Sequence, residues 1–181
     1  MGNESISVLD ILRMVGGLLM LNAFFSWWFT STSTWGYTGK LIDPAYIKFR
    51  LTNNYVNLTL DELAKYDGSD PNLPIYLAIN GLVYDVSRSR NVYGPKGAYH
   101  KLSGRDAARV FVTGCLMIPE QYTYDLRGLD VKEVENDIRS WQNFYRNNKK
   151  YWYTGIVNHV PLTGEPPAPC EHVKFLGSHS K

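Results

Sequence analysis

Cysteine is scarce in this chain, and its scarcity excludes two classes of small protein. Cys115 and Cys170 are the only two cysteines among 181 residues, so no disulfide framework of the small secreted type can form. A structural metal site made of thiolates would need more of them. Cys115 is expected to pack as a small buried hydrophobe, whereas a free thiol and a disulfide both stay open for Cys170. The pair does not fix the redox compartment.

An excess of charge of one sign is also missing. Nineteen Lys and Arg residues face seventeen Asp and Glu residues, and the resulting net charge of +2 gives no argument for a nucleic-acid partner. Neither a nucleophile next to a base nor a phosphate-binding loop is found in the sequence. The chain is therefore not predicted to be an enzyme. Its length suits one ordinary domain with attachments.

One long hydrophobic run is present, "ILRMVGGLLMLNAFFSWWF" at 11–29. As a helix it would extend about 28 Å, close to the hydrocarbon thickness of a bilayer. Arg13 lies near one end, and Trp27, Trp28 and Trp35 lie where an aromatic belt would form. Residues 1–31 are predicted to be a membrane anchor. A cleaved signal peptide would need a basic start and a small-residue cleavage site, and a core helix would be unusually apolar on all faces.

The charges beside this run predict its orientation. Lys40, Lys48 and Arg50 follow it, whereas acidic residues outweigh Arg13 before it. The positive-inside rule therefore places the C-terminal domain in the cytosol. The tripeptide "NLT" at Asn57 is a glycosylation acceptor that would matter only in the lumen, so a lumenal domain stays open.

Turn and capping signals divide the rest of the chain. Residues 32–54 are predicted to be a linker, 55–158 a folded domain, and 159–181 a Pro-rich, irregular tail. Thr59 and Glu62 form a capping box at the start of a short helix. "IYLAINGLVYDVS" predicts a β-hairpin, because Asn80 and Gly81 tolerate the positive φ angles of its turn.

Two further helices and a final strand complete the predicted domain. One helix is expected to begin at Ser103 as N-cap, with Asp106 at the third position, and to end at Gly114. The longest helix is capped by Asp130 and has Glu133 at its third position. Its predicted apolar stripe contains Val131, Val134, Ile138, Trp141 and Tyr145. "KKYWYTGIV" predicts the last strand, and the fold class is a mixed α+β domain.

The loop "NVYGPKGAYHKLSGRDAARVF" at 91–111 holds the most unusual set of side chains. Tyr93, Tyr99 and His100 stand among glycines and cations. Phenolate is a hard anionic ligand that serves as an axial ligand in some haem proteins, although a phenol needs iron or nearby cations to lose its proton at neutral pH. Tyrosines in turns more often only pack, so these residues alone favour a structural role.

The segments "LPIYLAINGLVYDVS" and "YGPKGAYHKLSGRDAARVFVTGCL" resemble the membrane-associated progesterone receptor family of cytochrome b5-like haem/steroid-binding domains, which includes neudesin and neuferricin. The likeness runs from about Leu58 to Val157, over more than half the chain. The hairpin, the Y-G-P-x-G-x-Y loop, G-R-D-A-x-R and a closing W…K-Y…G occur in order. The resemblance implies an α+β, cytochrome b5-like fold after one N-terminal transmembrane helix.

The same resemblance implies which residues hold a b-type haem. Tyr99 matches the axial ligand of the haem iron, and Tyr93 matches a tyrosine that supports the haem face by hydrogen bonding. Lys150 and Tyr151 match a Lys-Tyr pair that approaches the haem from the far strand. One departure is Ala98, which stands where a proline often precedes the axial tyrosine.

Histidine is the local rival for the iron. Adjacent residues of an extended loop point apart, so Tyr99 and His100 are not expected to share one metal face. Electron-carrying cytochromes b5 present two histidines, one within H-P-G-G, and that motif is absent from the sequence. The next histidine, His159, lies beyond the closing strand. Tyrosine ligation is therefore favoured over a bis-histidine shuttle.

Three functions follow from the resemblance and stay open. The first is a single-pass haem protein of the endoplasmic reticulum membrane that supports a sterol-metabolising haem-thiolate monooxygenase, or handles haem, a steroid or another lipid. The second is a non-catalytic structural or regulatory subunit of a larger membrane complex, with the b5-like domain as its interaction module. The third is a secreted or lumenal factor.

Overall fold

A computed structural model describes residues 6–168 and 170. The chain divides into two compact units, Met1–Gly39 and Lys40–Lys181. The predicted tail therefore lies partly outside the described residues, at 169 and 171–181. Each unit has its own architecture.

The first unit consists of helix α1 (Val8–Thr30) and the loop after it. Ser7 and Asp10 form a capping box at its start, and Ser31 ends it in the left-handed conformation. The helix is long and apolar enough to cross a membrane, with a mean hydropathy of 1.7, and none of this apolar window is buried. This agrees with the predicted anchor and argues against a core helix.

The second unit is built on a four-stranded sheet. Its strands are β1 (Val56–Thr59), β2 (Tyr76–Ile79), β3 (Leu82–Asp85) and β4 (Trp152–Asn158). Their order is β1-β4-β3-β2, with β1 parallel to β4 and the other pairs antiparallel. The predicted hairpin and final strand are confirmed, and positive φ angles at Asn80 and Gly81 close the hairpin turn.

Five helices accompany the sheet: α2 (Pro44–Thr52), α3 (Leu60–Ala64), α4 (Arg90–Tyr93), α5 (Ala108–Thr113) and α6 (Val131–Asn147). The larger core cluster joins α5 and α6 to one face of the sheet, with Leu77, Val110 and Ile138 among its buried residues. A smaller cluster around Leu63 and Ala78 covers the other side chains of β2. The result is the predicted mixed α+β domain.

The predicted helix ends are only partly right. The Thr59–Glu62 capping box, the Asp130 cap and the stop at Gly114 are confirmed. The start at Ser103 is wrong, because α5 begins five residues later, at Ala108. Ser103 instead donates its hydroxyl hydrogen to the carbonyl oxygen of Tyr93, at 2.8 Å.

Two further expectations differ from the structure. Val131 is 69% exposed and so lies outside the buried stripe of α6. Residues 40–52, expected within the linker, form a short 3-10 turn and α2. They belong to the second unit, since the Lys40 ammonium donates to the carbonyl oxygen of Tyr151 at 2.8 Å and Asp43 pairs with Arg88 at 3.1 Å.

Cys115 and Cys170 form a disulfide. Cys115 is buried, as expected, and of the two alternatives left open for Cys170 the structure has the disulfide. The two cysteines are 55 residues apart in the chain. The local sequence around either one therefore does not predict that they pair. The disulfide fastens Cys170, and with it the C-terminal segment (residues 160–168 and 170), to Cys115, which follows the C-cap of α5.

Candidate functional site

Four tyrosines from three parts of the domain meet beside the glycine-rich loop. Tyr93 ends α4, Tyr99 stands in the loop after it, Tyr145 comes from α6, and Tyr151 directly precedes β4. Their ring centroids lie between 5.5 and 6.2 Å apart in the pairs Tyr93–Tyr99, Tyr93–Tyr151 and Tyr145–Tyr151. These four residues are called the tyrosine cluster below.

Three members of the cluster, Tyr93, Tyr145 and Tyr151, are buried. The hydroxyls of Tyr93 and Tyr145 share a hydrogen bond at 2.8 Å, and the hydroxyl of Tyr151 donates to Ser89 Oγ at 3.0 Å. Burial raises the pKa of Tyr93 and of Tyr145 far above the ordinary value, and the neighbouring phenols raise the pKa of Tyr93 further. Tyr93 and Tyr145 are therefore neutral hydrogen-bonding phenols.

Tyr99 forms the outer half of the cluster. Its side chain is 39% exposed, and among residues 6–168 and 170 no hydrogen bond engages its hydroxyl. Lys150 is exposed, next to the buried Tyr151. Four residues were proposed for the site from the sequence. Of these, Tyr99 and Lys150 are exposed to solvent, whereas Tyr93 and Tyr151 are buried.

Backbone contacts hold the loop in its shape. The amide of Tyr99 donates to the carbonyl oxygen of Val92 at 3.0 Å. A side-chain carbon at Gly97 would collide with that same carbonyl oxygen, and one at Gly94 would collide with the carbonyl oxygen of Arg90. Only glycine therefore fits at these two positions, which explains the Y-G-P-x-G-x-Y pattern physically.

Arg90 fastens the base of the loop to the rest of the domain. Its guanidinium donates to the carbonyl oxygens of Gly68 and Leu73 at 3.1 and 2.8 Å. Two hydrogen bonds from a planar cation fix its orientation better than one would. The position of Tyr99 is thus set by the fold around it.

His100 has a different environment from Tyr99. Its side chain is half-buried, and Nδ1 lies 3.4 Å from the carbonyl oxygen of Tyr93. The imidazole is thus drawn toward the backbone of the preceding turn. His100 begins a short 3-10 helix, so the loop is not extended at this point, contrary to the assumption made from the sequence.

The residues present fit a haem bound through Tyr99. An axial ligand must be accessible and must have a free lone pair, and in this cluster Tyr99 meets both conditions. Lys96 and Lys101 are exposed on the same loop and offer positive charge to anionic propionates. The buried phenols behind Tyr99 supply hydrogen-bonding groups rather than ligands.

Sequence reasoning missed Tyr145 as a member of this site. Its place in the apolar stripe of α6 predicted burial, which is confirmed. No local signal could show that its hydroxyl meets Tyr93, which lies 52 residues away in the chain. Ser89, the partner of Tyr151, was missed for the same reason, across 62 residues.

Comparisons with known proteins agree with this fold. Residues 59–152 match a family described as "Cytochrome b5-like Heme/Steroid binding domain". Membrane steroid-binding protein 2 of Oryza sativa subsp. japonica is 39% identical over 103 residues, which are 57% of this chain and 37% of that protein. Membrane-associated progesterone receptor component 2 of Homo sapiens is 34% identical over 128 residues, 69% of this chain and 54% of that protein.

A solved structure is similar over a comparable share of the chain. It is a hypothetical protein from Arabidopsis thaliana described as having a cytochrome b5 like fold, with a TM-score of 0.51 and 33% sequence identity. The match covers 57% of this chain and 92% of that one. By contrast, this chain spans about a third to a half of the length of the two curated relatives.

Proposed function

Since the chain belongs to the cytochrome b5-like haem/steroid-binding domains of the membrane-associated progesterone receptor family, we propose that it is a membrane-anchored haem-binding protein whose ferric iron is held by Tyr99. The haem would supply iron chemistry and a flat hydrophobic surface. The chain's own residues would hold and orient it. The observation that carries this proposal is the accessible, unbonded hydroxyl of Tyr99 in an otherwise hydrogen-bonded cluster.

The proposed ligand has a consequence for the redox state. An anionic oxygen donor stabilises ferric over ferrous iron and lowers the reduction potential. Rapid electron shuttling does not suit such a site. We therefore propose a binding protein rather than a catalyst, in keeping with the names of its relatives, which are steroid-binding and receptor-component proteins.

The wider role proposed is support of another membrane protein. The resemblance suggests a sterol-metabolising haem-thiolate monooxygenase of the endoplasmic reticulum as partner, or the handling of haem, a steroid or another lipid. Helix α1 would keep the domain at the membrane where such apolar molecules dissolve. Co-purification from detergent extracts with and without added haemin tests for a partner.

One observation favours a second function, an interaction module that needs no haem. All three buried tyrosines of the cluster have hydrogen-bonded hydroxyls. Tyr93 and Tyr145 bond to each other, and Tyr151 bonds to Ser89. These buried hydroxyls therefore have partners without a ligand. In that case the b5-like domain would be a structural subunit of a larger membrane complex, and native extraction would recover it in that complex without haem.

Absorption spectroscopy of the second unit tests the haem proposal. Residues 40–181 are titrated with haemin, and we expect a shifted Soret band that Tyr99→Phe abolishes. Tyr55→Phe is the matched control, because Tyr55 is also an exposed tyrosine of this unit but lies outside the cluster. An identical spectrum for Tyr99→Phe and the unmodified protein would exclude the proposed ligation.

A further inference from the structure

The C-terminal segment is held on the domain by contacts other than its disulfide. Arg109 Nη2 donates to the carbonyl oxygen of Pro167 at 2.8 Å, and Gln121 Nε2 donates to that of Ala168 at 2.9 Å. At the start of the segment, the Tyr124 hydroxyl donates to the carbonyl oxygen of Val160. These contacts hold the segment against the domain near Cys115. The disulfide then joins Cys170 to Cys115.

Such a disulfide indicates the compartment of the domain. Disulfides persist in oxidising compartments, whereas cytosolic thiols are kept reduced, apart from transient catalytic or sensing pairs. Cys115 is 6% exposed, which suits a structural bond rather than a reactive pair. Both cysteines of the chain are consumed in this one bond.

A second feature of this unit would be used on the same side of the membrane, and the matching tripeptide Asn3-Glu4-Ser5 before α1 would be used only in the opposite orientation. The sequence Asn57-Leu58-Thr59 is a glycosylation acceptor. Asn57 is exposed on β1, which is an edge strand paired with β4 alone. Asn57 Oδ1 accepts a hydrogen bond from Asn158 Nδ2 at 2.6 Å. Among the described residues, no hydrogen bond engages the Asn57 side-chain amide nitrogen, the atom that would carry a glycan.

We propose that the second unit lies on the non-cytosolic side of the membrane, with the Cys115–Cys170 bond formed and an N-linked glycan on Asn57. This orientation is opposite to the one that the flanking charges predict. Long loops and domains are translocated during insertion largely regardless of their charges. In the folded domain the Lys40 ammonium donates to the carbonyl oxygens of Arg146 and Tyr151. A partner that binds this domain must then reach it from the same side.

Glycan removal from the full chain tests the modification site. The chain is expressed in a eukaryotic cell, and an N-glycan-cleaving enzyme is expected to increase its gel mobility by the mass of one glycan. Asn57→Gln should abolish this change, whereas Thr59→Ser, which keeps the acceptor pattern, should retain it. Asn54→Gln is the matched control, at an exposed asparagine outside the pattern. A mobility that the enzyme leaves unchanged would overturn the glycan site.

Thiol labelling and protease protection test the orientation separately. In sealed membranes the second unit should resist added protease until detergent opens the vesicles. After denaturation, a maleimide of high mass should add no label without reductant and two labels with it. Two labels without reductant, together with digestion of the intact vesicles, would place the domain in the cytosol and overturn the inference. Neither measurement involves haem, so its outcome is independent of the Tyr99 proposal.

Discussion

The hydroxyls of Tyr93 and Tyr145 lie 2.8 Å apart in the interior of the domain, and they join the glycine-rich loop to α6. Tyr93 is 5% exposed and Tyr145 is 2% exposed. The loop that presents Tyr99 is therefore tied directly to the longest helix of the fold. Changes in this pair should affect stability and the site together.

The first prediction concerns this buried hydrogen bond. Tyr145→Phe should lower the unfolding free energy of residues 40–181 by about 1 to 2 kcal/mol, because it leaves the Tyr93 hydroxyl buried without its partner. Urea unfolding measures the change. Tyr93→Phe with Tyr145→Phe should cost less than the sum of the single variants. Strictly additive costs would show that the two hydroxyls do not interact.

The second prediction concerns Gly97. Gly97→Ala should destabilise the domain by about 1 to 3 kcal/mol, since the added carbon collides with the carbonyl oxygen of Val92. That oxygen also accepts the hydrogen bond from the Tyr99 amide, so haemin affinity should fall as well. Thermal unfolding and a haemin titration measure the two effects. Ala98→Ser, at the adjacent exposed position, is the control and should change neither.

Local rules predicted those parts of the fold that local chemistry determines. The hairpin turn depends on the φ angles of Asn80 and Gly81, and the caps at Thr59 and Asp130 depend on side chains that reach two or three residues along the chain. Each of these features depends only on residues that are a few positions apart in the chain. For that reason they are visible in the sequence and are confirmed by the structure.

The parts that sequence reasoning missed depend on distant partners. Asp106 resembles a helix-start residue, but it bonds to a hairpin 25 residues earlier and to His159, 53 residues later. Cys115 bonds to Cys170, 55 residues later, in a segment that Arg109 also holds. In the proposed site, the family motif points to Tyr99, while its surroundings depend on Tyr145 from α6. The spacing of residues along the chain does not show which distant side chains come into contact.

The third prediction concerns Asp106, whose carboxylate accepts hydrogen bonds from the amides of Asn80, Gly81 and Ala108. Asp106→Asn should destabilise the domain by about 2 to 3 kcal/mol, because the new amide group cannot accept from both oxygen positions. Chemical unfolding measures this loss. Asp70→Asn, at an exposed turn, is the control. Equal stability of the two variants would contradict the role assigned to Asp106.

The fourth prediction concerns Arg109, a side chain buried to 1% exposure. Its guanidinium bonds to Gln121 Oε1 and to the carbonyl oxygens of Asp125, Arg127 and Pro167. Arg109→Lys should cost about 2 to 4 kcal/mol, because an ammonium cannot reach all four acceptors. Hydrogen exchange within residues 160–168 should quicken more than in β3. Uniform quickening across the domain would indicate general destabilisation without release of the segment.

The last prediction is a pH dependence that arises at Asp85. Burial, together with the nearby negative charge of Asp43, raises the pKa of Asp85 to about 6, against an ordinary value of 3.8, although hydrogen bonds from Ser87 oppose the shift. Because the folded state holds this proton more tightly than the unfolded state does, the stabilisation is present below about pH 4. It is lost as the pH rises through 6.

Asp85→Asn removes this titration, because asparagine at position 85 stays neutral and can still accept from the Ser87 amide. The variant should be more stable than the unmodified domain at pH 7.5, by roughly 2 to 3 kcal/mol for a shift of about two pKa units. The difference should shrink toward zero near pH 4. Urea unfolding of residues 40–181 across this range provides the comparison. A difference that stays constant with pH would mean that Asp85 titrates alike in the folded and unfolded chains, and burial in the sheet would then carry no electrostatic cost.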